Sequence, residues 1–376
     1  MWLYESNSAK YMTGRDYIRV GVVGGTRLPG NVRTLLTNIH DLLRDHSVDF
    51  DLDLVVSENV DTPDGYTQVD PGFETSNRAI GILKTLTKGL ETYARTNDVG
   101  VLFQVTKFPL HGSAAILAGR RTSTPVLTRF AGDNFREFKF SSGLDKIRAF
   151  GLNNVIGQIP ARWSNQIIVL GPHGKQEIDR RSRGVPIREI PQPIDRDLFL
   201  PVSESREQEL ADQLGFSSED LTLLTVGRLT ERKGMETVIK TAKTLSNQGV
   251  SFRWYLLGDG PMRPELAATH GVEPLGRVDY EEMPDYYRAT DLVVHPSLIE
   301  GLPNVLLEAA ACDTPTISRN VGDSASVASA TFTDDSQLPS IITQQHNPVS
   351  LDERFDLERL RDAYADVLLD TEENDI

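Results

Sequence analysis

The strongest constraint on how this chain folds is an alternation. Short apolar runs rich in β-branched residues, often ending in glycine, are each followed by a segment whose apolar positions have helical spacing. IRVGVVG (18–24) ends at Gly24 and Gly25 and passes through Gly30 into NVRTLLTNIHDLL. FDLDLVVSE (50–58), VGVLFQV (99–105) and PVLTRF (125–130) read as further strands, with RAIGILKTLTKGLETYA and SAAILAGRR as helices among them. Strands and helices in alternation predict a parallel sheet covered on both faces. Residues 59–75 form a Pro-, Gly- and Asp-rich loop too long for a simple connection, read as an excursion or a lid. REIPQPIDRDLFLPVSES (188–205) has the prolines and charge of a linker, and the pattern restarts beyond it with LTLLTVGRL (221–229), SFRWYLLG (251–258), VEPLG, LVVHPS (292–297) and TPTIS. The expectation is an α/β protein of two doubly wound domains, 1–198 and 199–350 with the boundary near Phe199. A C-terminal helix and acidic tail follow over 351–376, docked through Phe355, Leu357, Leu360, Tyr364, Val367 and Leu368 and frayed at its end.

Composition narrows the class. At 39% hydrophobic and 25% charged, with no run near the ~18 apolar residues of a membrane helix, an integral helical membrane protein is excluded. The first residues lack the basic-then-apolar order of a secretory signal, and a single cysteine, Cys312, leaves no internal disulfide to form, so a cytoplasmic protein is expected. The net charge of −15 rests on 54 acids against 29 Arg and only 10 Lys, a balance suited to a salt-rich, halophilic host and opposed to nucleic-acid binding. The charge is uneven: residues 1–195 balance at +3 and 196–376 at −18. Residues 107–188 alone set 14 Lys and Arg against 5 acids. That excess fits an anionic target, or a half merely less acidified.

Ligands of open α/β sheets sit beyond the carboxyl ends of the strands, so the residues just after each strand carry the functional signal. After the first strand of the second domain, Gly227 is followed by Arg228 and Lys233 on one loop, a fork and a point charge suited to a diphosphate. GDGP (258–261) is a tight turn explained by its glycines alone. After LVVHPS, Gly301 permits close backbone approach, and Pro303 is placed to begin a helix. The free N–H groups of Asn304, Val305 and Leu306 would then face an anion. Glu300 precedes that glycine and Glu308 lies about a turn inside the helix. Two carboxylates beside a phosphate cradle make sense if the ligand also offers hydroxyls, as a sugar nucleotide does. His295, before Pro296, reads as a packed strand-end residue, and no spacing of His, Cys or Asp resembles a metal site.

Glu300-Gly301-Leu302-Pro303 through Glu308, then Ala309, Ala310 and Pro315, resembles the E-x7-E signature of retaining glycosyltransferases of family 4, which have the GT-B fold. VGRLTERKG, LLGDGP, LGRVDYEEMPDYYRATDLVVHPS and IPQPIDRDLF resemble the matching blocks in the same order, densely over 186–323. The resemblance implies two Rossmann-like domains facing a central cleft, and transfer of a sugar from a nucleoside-diphosphate donor with retention, without a metal or other cofactor. It gives Arg228 and Lys233 the leaving diphosphate, Glu300 the donor sugar and Glu308 the ribose. Gly301 and Leu302 would contact sugar and diphosphate, and Gly276, Arg277 and Val278 would lie by the base. Fixed cations act where charge builds on the departing diphosphate.

Gly24, Gly25 and Gly30 resemble the family's glycine loop of the first domain, with Gly25 by the donor phosphates. The His-Gly pair common in the family is replaced by Ala131-Gly132, which leaves His111, Arg129 and Asp133 as acceptor-side candidates. Gln192-Pro193-Ile194-Asp195 stands where Asn-Gly-Val-Asp is usual. NFREFKFSSGLDKIRAFG (134–151) interleaves phenylalanines with Arg136, Lys139, Lys146 and Arg148, suiting either a helix that buries its Phe side or a peripheral membrane face. The expected acceptor is a glycan or a polyisoprenyl-phosphate-linked saccharide, in surface glycan or glycoprotein synthesis at the inner face of the membrane. Rivals are a nucleotide-sugar epimerase or sugar phosphorylase of the same fold, and a non-catalytic nucleotide-sugar scaffold.

Overall fold

The computed structural model describes residues 17–26, 28–73, 79–216 and 219–373. The N-terminal segment read for a leader, Arg27 of the glycine loop and the extreme end of the acidic tail lie outside them. The chain forms two compact units, 1–193 with 356–376, and 194–355. The division falls ahead of the boundary placed at Phe199, and the C-terminal helix belongs to the first unit instead of standing apart.

The first unit holds β1 (Tyr17–Gly25), α1 (Gly30–Leu43), β2 (Asp49–Val56), β3 (Thr67–Val69), α2 (Ala79–Thr96), β4 (Val101–Gln104), α3 (Phe108–Thr122) and β5 (Val126–Phe130). A 3-10 turn, α4 (Gly143–Phe150), a π-helical turn, α5 (Gln158–Trp163), β6 (Gln166–Val169), α6 (Pro172–Asp179) and β7 (Ile187–Glu189) follow. The sheet is ordered β3-β2-β1-β4-β5-β6-β7 and all its pairings are parallel. The long loop after β2 contributes β3 to the sheet edge, so it is partly sheet and not only an excursion.

Side chains of β1 alternate between two apolar layers, as a strand's period of two requires. Ile18, Val20 and Val22 join Leu35, Leu36 and Ile39 of α1, while Val23 joins Leu86, Leu90 and Tyr93 of α2. Gly21 is obligatory there, because a Cβ on it would lie 2.4 Å from the Tyr93 ring. The Tyr93 hydroxyl donates to buried Asp53 at 2.7 Å.

The second unit runs α7 (Glu204–Leu214), β8 (Leu221–Val226), α8 (Met235–Asn247), β9 (Phe252–Leu257), α9 (Arg263–Ala267), β10 (Val272–Gly276), α10 (Met283–Arg288) and β11 (Leu292–His295). It continues with α11 (Asn304–Ala311), β12 (Thr316–Arg319), β13 (Ala330–Phe332) and α12 (Leu338–Ile342). Its parallel sheet is ordered β10-β9-β8-β11-β12-β13. Trp254 and Leu256 of β9 pack with α8 and α12, whereas the intervening Tyr255 stacks on Phe216, ring centroids 3.9 Å apart. Prolines in the first turns of α9, α10 and α12 start those short helices where no N–H is missed.

The last helix, α13 (Leu357–Glu373), sets Leu360, Tyr364, Val367 and Leu368 into the α1 side of the first sheet.

Candidate functional site

In the second sheet the strand order reverses between β8 and β11, and such reversals open a crevice at the carboxyl ends of the strands. The loop after β8 carries Arg228 and Lys233, and the loop after β11 carries Glu300. The structure joins the two loops: Leu298 N donates to Arg232 O at 3.0 Å, and Lys233 Nζ donates to Glu300 Oε1 at 2.5 Å. Gly234 makes this approach possible. Its φ is +75°, and a Cβ on it would lie 2.1 Å from the carbonyl oxygen of Pro296. The neighbouring GDGP turn is equally close, since a Cβ on Gly258 would meet Gly227 O at 2.0 Å and one on Gly260 would meet Leu229 O at 2.4 Å. Those glycines, which a turn alone would explain, permit loop-on-loop packing behind Gly227 and Arg228.

His295 is the buried end of β11, as its sequence suggests, and its Nε2 donates to the same Glu300 oxygen from 3.2 Å. Burial works to raise the Glu300 carboxyl, but the His295 hydrogen bond and the Lys233 charge outweigh it and hold the group well below the usual carboxylate range. Glu308 is the opposite case. It is 8% exposed, accepts a hydrogen bond from the Tyr287 hydroxyl at 2.7 Å, and burial pushes it up to about 7 against that bond. Two carboxylates close in sequence are therefore tuned apart, one a fixed anion and one near neutrality.

Arg228 is exposed, with no side-chain partner among the described residues, and can take an anion. Pro303 caps α11 instead of starting it, and Leu306 N already donates to Pro303 O at 3.2 Å, so of the three expected N–H donors only those of Asn304 and Val305 remain. Leu302 is buried; Gly301 O accepts from Asp323 N at 2.8 Å. Gly276 ends β10 at φ +98° and its carbonyl accepts from Gly258 N at 2.6 Å, which ties the exposed Arg277 and half-buried Val278 to the same rim. Gly322, not anticipated from the sequence, lies under the Glu300 and Gly301 carbonyls, where a Cβ would approach to 2.5 and 2.2 Å. Tyr287 was missed too. Only the E-x7-E spacing pointed toward it, and that names one partner of the pair.

The first sheet reverses between β1 and β4. Gly25, at φ +77°, and His111 of α3 meet there, 2.9 Å separating a Gly25 Cβ position from the His111 ring. His111 is 2% exposed, its Nδ1 has no hydrogen-bond partner, and burial pushes it down to about 3. Arg129 does not stand out as a free acceptor contact. It is 3% exposed and held by the side-chain oxygen of Gln192. Asp133 is likewise buried, 3.4 Å from His173 Nε2 and 3.5 Å from Arg136 Nε. Among the described residues no group of three or more His, Cys, Asp or Glu side chains is arranged to hold a metal ion.

The blocks that build the second crevice are also where known proteins agree. The family model for glycosyl transferases group 1 matches residues 220–348. A glycosyltransferase named for teichuronic acid biosynthesis, TuaC of Bacillus subtilis, is 28% identical over 214 residues, 57% of this chain and 51% of its own. The alpha-D-kanosaminyltransferase of Streptomyces kanamyceticus is 32% identical over 126 residues, 32% of either chain. The chain thus spans about half the length of TuaC and a third of the kanosaminyltransferase in these matches. In three dimensions HepE of Anabaena, solved with UDP and glucose, is similar over 94% of this chain and 99% of its own, with TM-score 0.72 and 18% identity. WaaG, a glycosyltransferase of lipopolysaccharide biosynthesis, matches over 94% and 97%, with TM-score 0.66 and 14% identity. The fold is the GT-B pair of Rossmann-like domains, and the match to the glycosyl transferases group 1 model lies in the second of them.

Proposed function

We propose that this protein is a retaining, metal-independent glycosyltransferase that moves a sugar from a nucleoside-diphosphate donor to a glycan or lipid-linked acceptor. The observation that carries the reading is the Lys233–Glu300 pair at the reversal of the second sheet, with Arg228 beside it in the chain. In the absence of donor the cation and the carboxylate satisfy one another. A donor diphosphate gives Lys233 and Arg228 a partner, and releases the ionised, acceptor-only Glu300 carboxylate to hydroxyls of the sugar. As the sugar–phosphate bond breaks, negative charge grows on the diphosphate, and two fixed cations with the Asn304 and Val305 N–H groups stabilise it. Glu308, steadied by Tyr287, takes the ribose hydroxyls. The glycosyltransferase relatives and neighbours support sugar transfer as the chemistry; the acidic, Lys-poor composition supports a salt-rich cytoplasm as the setting.

The test is a thermal-shift screen in high salt against UDP-, GDP-, ADP- and dTDP-sugars without added metal, since a ligand of the native state alone raises the melting point by mass action. A shift with one base that Glu308→Ala abolishes supports the site and names the donor. No shift from a folded protein across the panel overturns it. Product anomer analysis with the donor so found tests retention.

A further inference from the structure

We infer that α4 and the turn before it form an interfacial wedge that docks the first unit on an anionic lipid surface. The helix buries none of its residues, whereas Phe135 in the turn before it is buried, so the expected hidden Phe side is met in that turn and not on α4. Leu144 is 70% and Ile147 69% exposed, and Phe140 and Phe150 are somewhat under half exposed. Such exposure on consecutive turns is unusual for a soluble surface. Successive helical residues are about 100° apart, so Leu144 and Ile147 share a face, while Lys146 and Arg148 fall on either side of Ile147. Both cations are exposed, Arg148 in a surface ion pair with Asp145 at 3.1 Å, and they border the apolar stripe as anchors do in helices lying in a membrane plane. Phe138 and Phe150 meet edge to face at 5.1 Å, pinning the helix to the preceding turn so that the wedge is presented rigidly.

The charge around the wedge selects its occupant. The stretch 134–151 that carries the helix sets Arg136, Lys139, Lys146 and Arg148 against Glu137 and Asp145, inside a segment, 107–188, with 14 basic against 5 acidic residues in a chain of net charge −15. Anionic head groups complement that segment and attract it through each nearby Lys or Arg. A second copy of the chain fits poorly, because a two-fold contact would set Lys146 and Arg148 against their own copies. A helix of this length, about 12 Å, lies in the interface and does not cross it; among the described residues no helix is long and apolar enough to span. The wedge deepens the proposed function by giving the enzyme a lipid surface where a lipid-linked acceptor resides, but it rests on α4 alone.

Flotation of the full chain with phosphatidylcholine vesicles, with and without phosphatidylglycerol, tests it without any donor, so a failure here is separate from a failure of sugar transfer. Binding to the anionic vesicles is expected, and Leu144→Ser with Ile147→Ser should lower it about tenfold or more. Lys146→Gln with Arg148→Gln should remove the preference for phosphatidylglycerol. In molar salt, where the Debye length shrinks to about 3 Å, the residual binding should be that of the apolar pair. The four side chains are exposed, so the variants should melt as the parent does and transfer normally to a water-soluble acceptor. A parent absent from both vesicle fractions, or a Ser variant that floats as well as the parent, overturns the proposal. So does a dimer that the Ser variant dissolves while the parent ignores vesicles.

Discussion

The two sheets reverse at corresponding places and put opposite chemistry there. Beyond β1 and β4 lie a left-handed glycine and a buried imidazole with one orphaned nitrogen. Beyond β8 and β11 lie an ammonium, a fixed carboxylate, an exposed guanidinium and a second carboxylate near neutrality. The first crevice buries a neutral imidazole on which the Lys107 ammonium acts, and the second pairs opposite charges directly. One doubly wound design thus carries a paired cation and carboxylate in the second unit and an uncharged, closely packed ring in the first.

The contrast should appear most strongly in acid. His111 sits at about 3 in the folded protein against ~6.5 unfolded, so below 6.5 the unfolded chain takes up a proton the native state refuses. Its contribution is present above 6.5 and lost as pH falls toward 3, about 4–5 kcal/mol in all. Glu308, raised from 4.5 to about 7, works the other way. Its contribution is full below 4.5 and lost as pH rises through 7, about 3 kcal/mol. Urea melts across this range should show His111→Gln flattening the acid loss and Glu308→Gln flattening the loss toward neutrality. If neither variant changes its slope, the contrast is broken.

Next in size is Lys233→Ala. Removing one donor to a developing oxyanion typically costs about 10²–10³ in kcat, or roughly 3–4 kcal/mol, with the circular dichroism spectrum retained. Near-normal turnover would strip the second crevice of its assigned role. Gly234→Ala should cost about 2 kcal/mol or more in unfolding free energy, because the new methyl meets Pro296 O and φ is positive. It should also abolish the donor-induced thermal shift, because the loop that carries Arg228 and Lys233 is pushed off Pro296. The smallest effect belongs to the exposed wedge: Leu144→Ser with Ile147→Ser should stay within about 0.5 kcal/mol of the parent.

What could be read in advance follows the reach of each signal. The strands flanking both reversals are continuous apolar runs, and Gly227 to Lys233 and Glu300 to Glu308 are contiguous, so fold and donor loops were legible from residue types and spacing. The strands β6, β7 and β13 were not: they are short, and β7 is a polar edge. Pairs that depend on how the loops fold also escaped: Tyr287 with Glu308 and Gly322 beneath Glu300 across long separations, and His295 with Glu300 only five residues on. Arg129 shows the limit most clearly. The absent His-Gly pair made Arg129 an acceptor-side candidate, and nothing nearby in the sequence announced that the Gln192 side chain would hold it in the interior.

The return of the chain to its first unit bears on synthesis. The polypeptide leaves that unit at Pro193 and re-enters it at Asp356, so Leu360, Tyr364 and Leu368, which close the layer over Val20 and Leu36, emerge from the ribosome only after the whole second unit. The second unit is contiguous and can mature while the first is still missing a wall. In the cell the order of completion is therefore reversed relative to the order of translation. Until α13 has emerged, the Val20 and Leu36 layer of a nascent chain lacks the side chains that cover it in the fold.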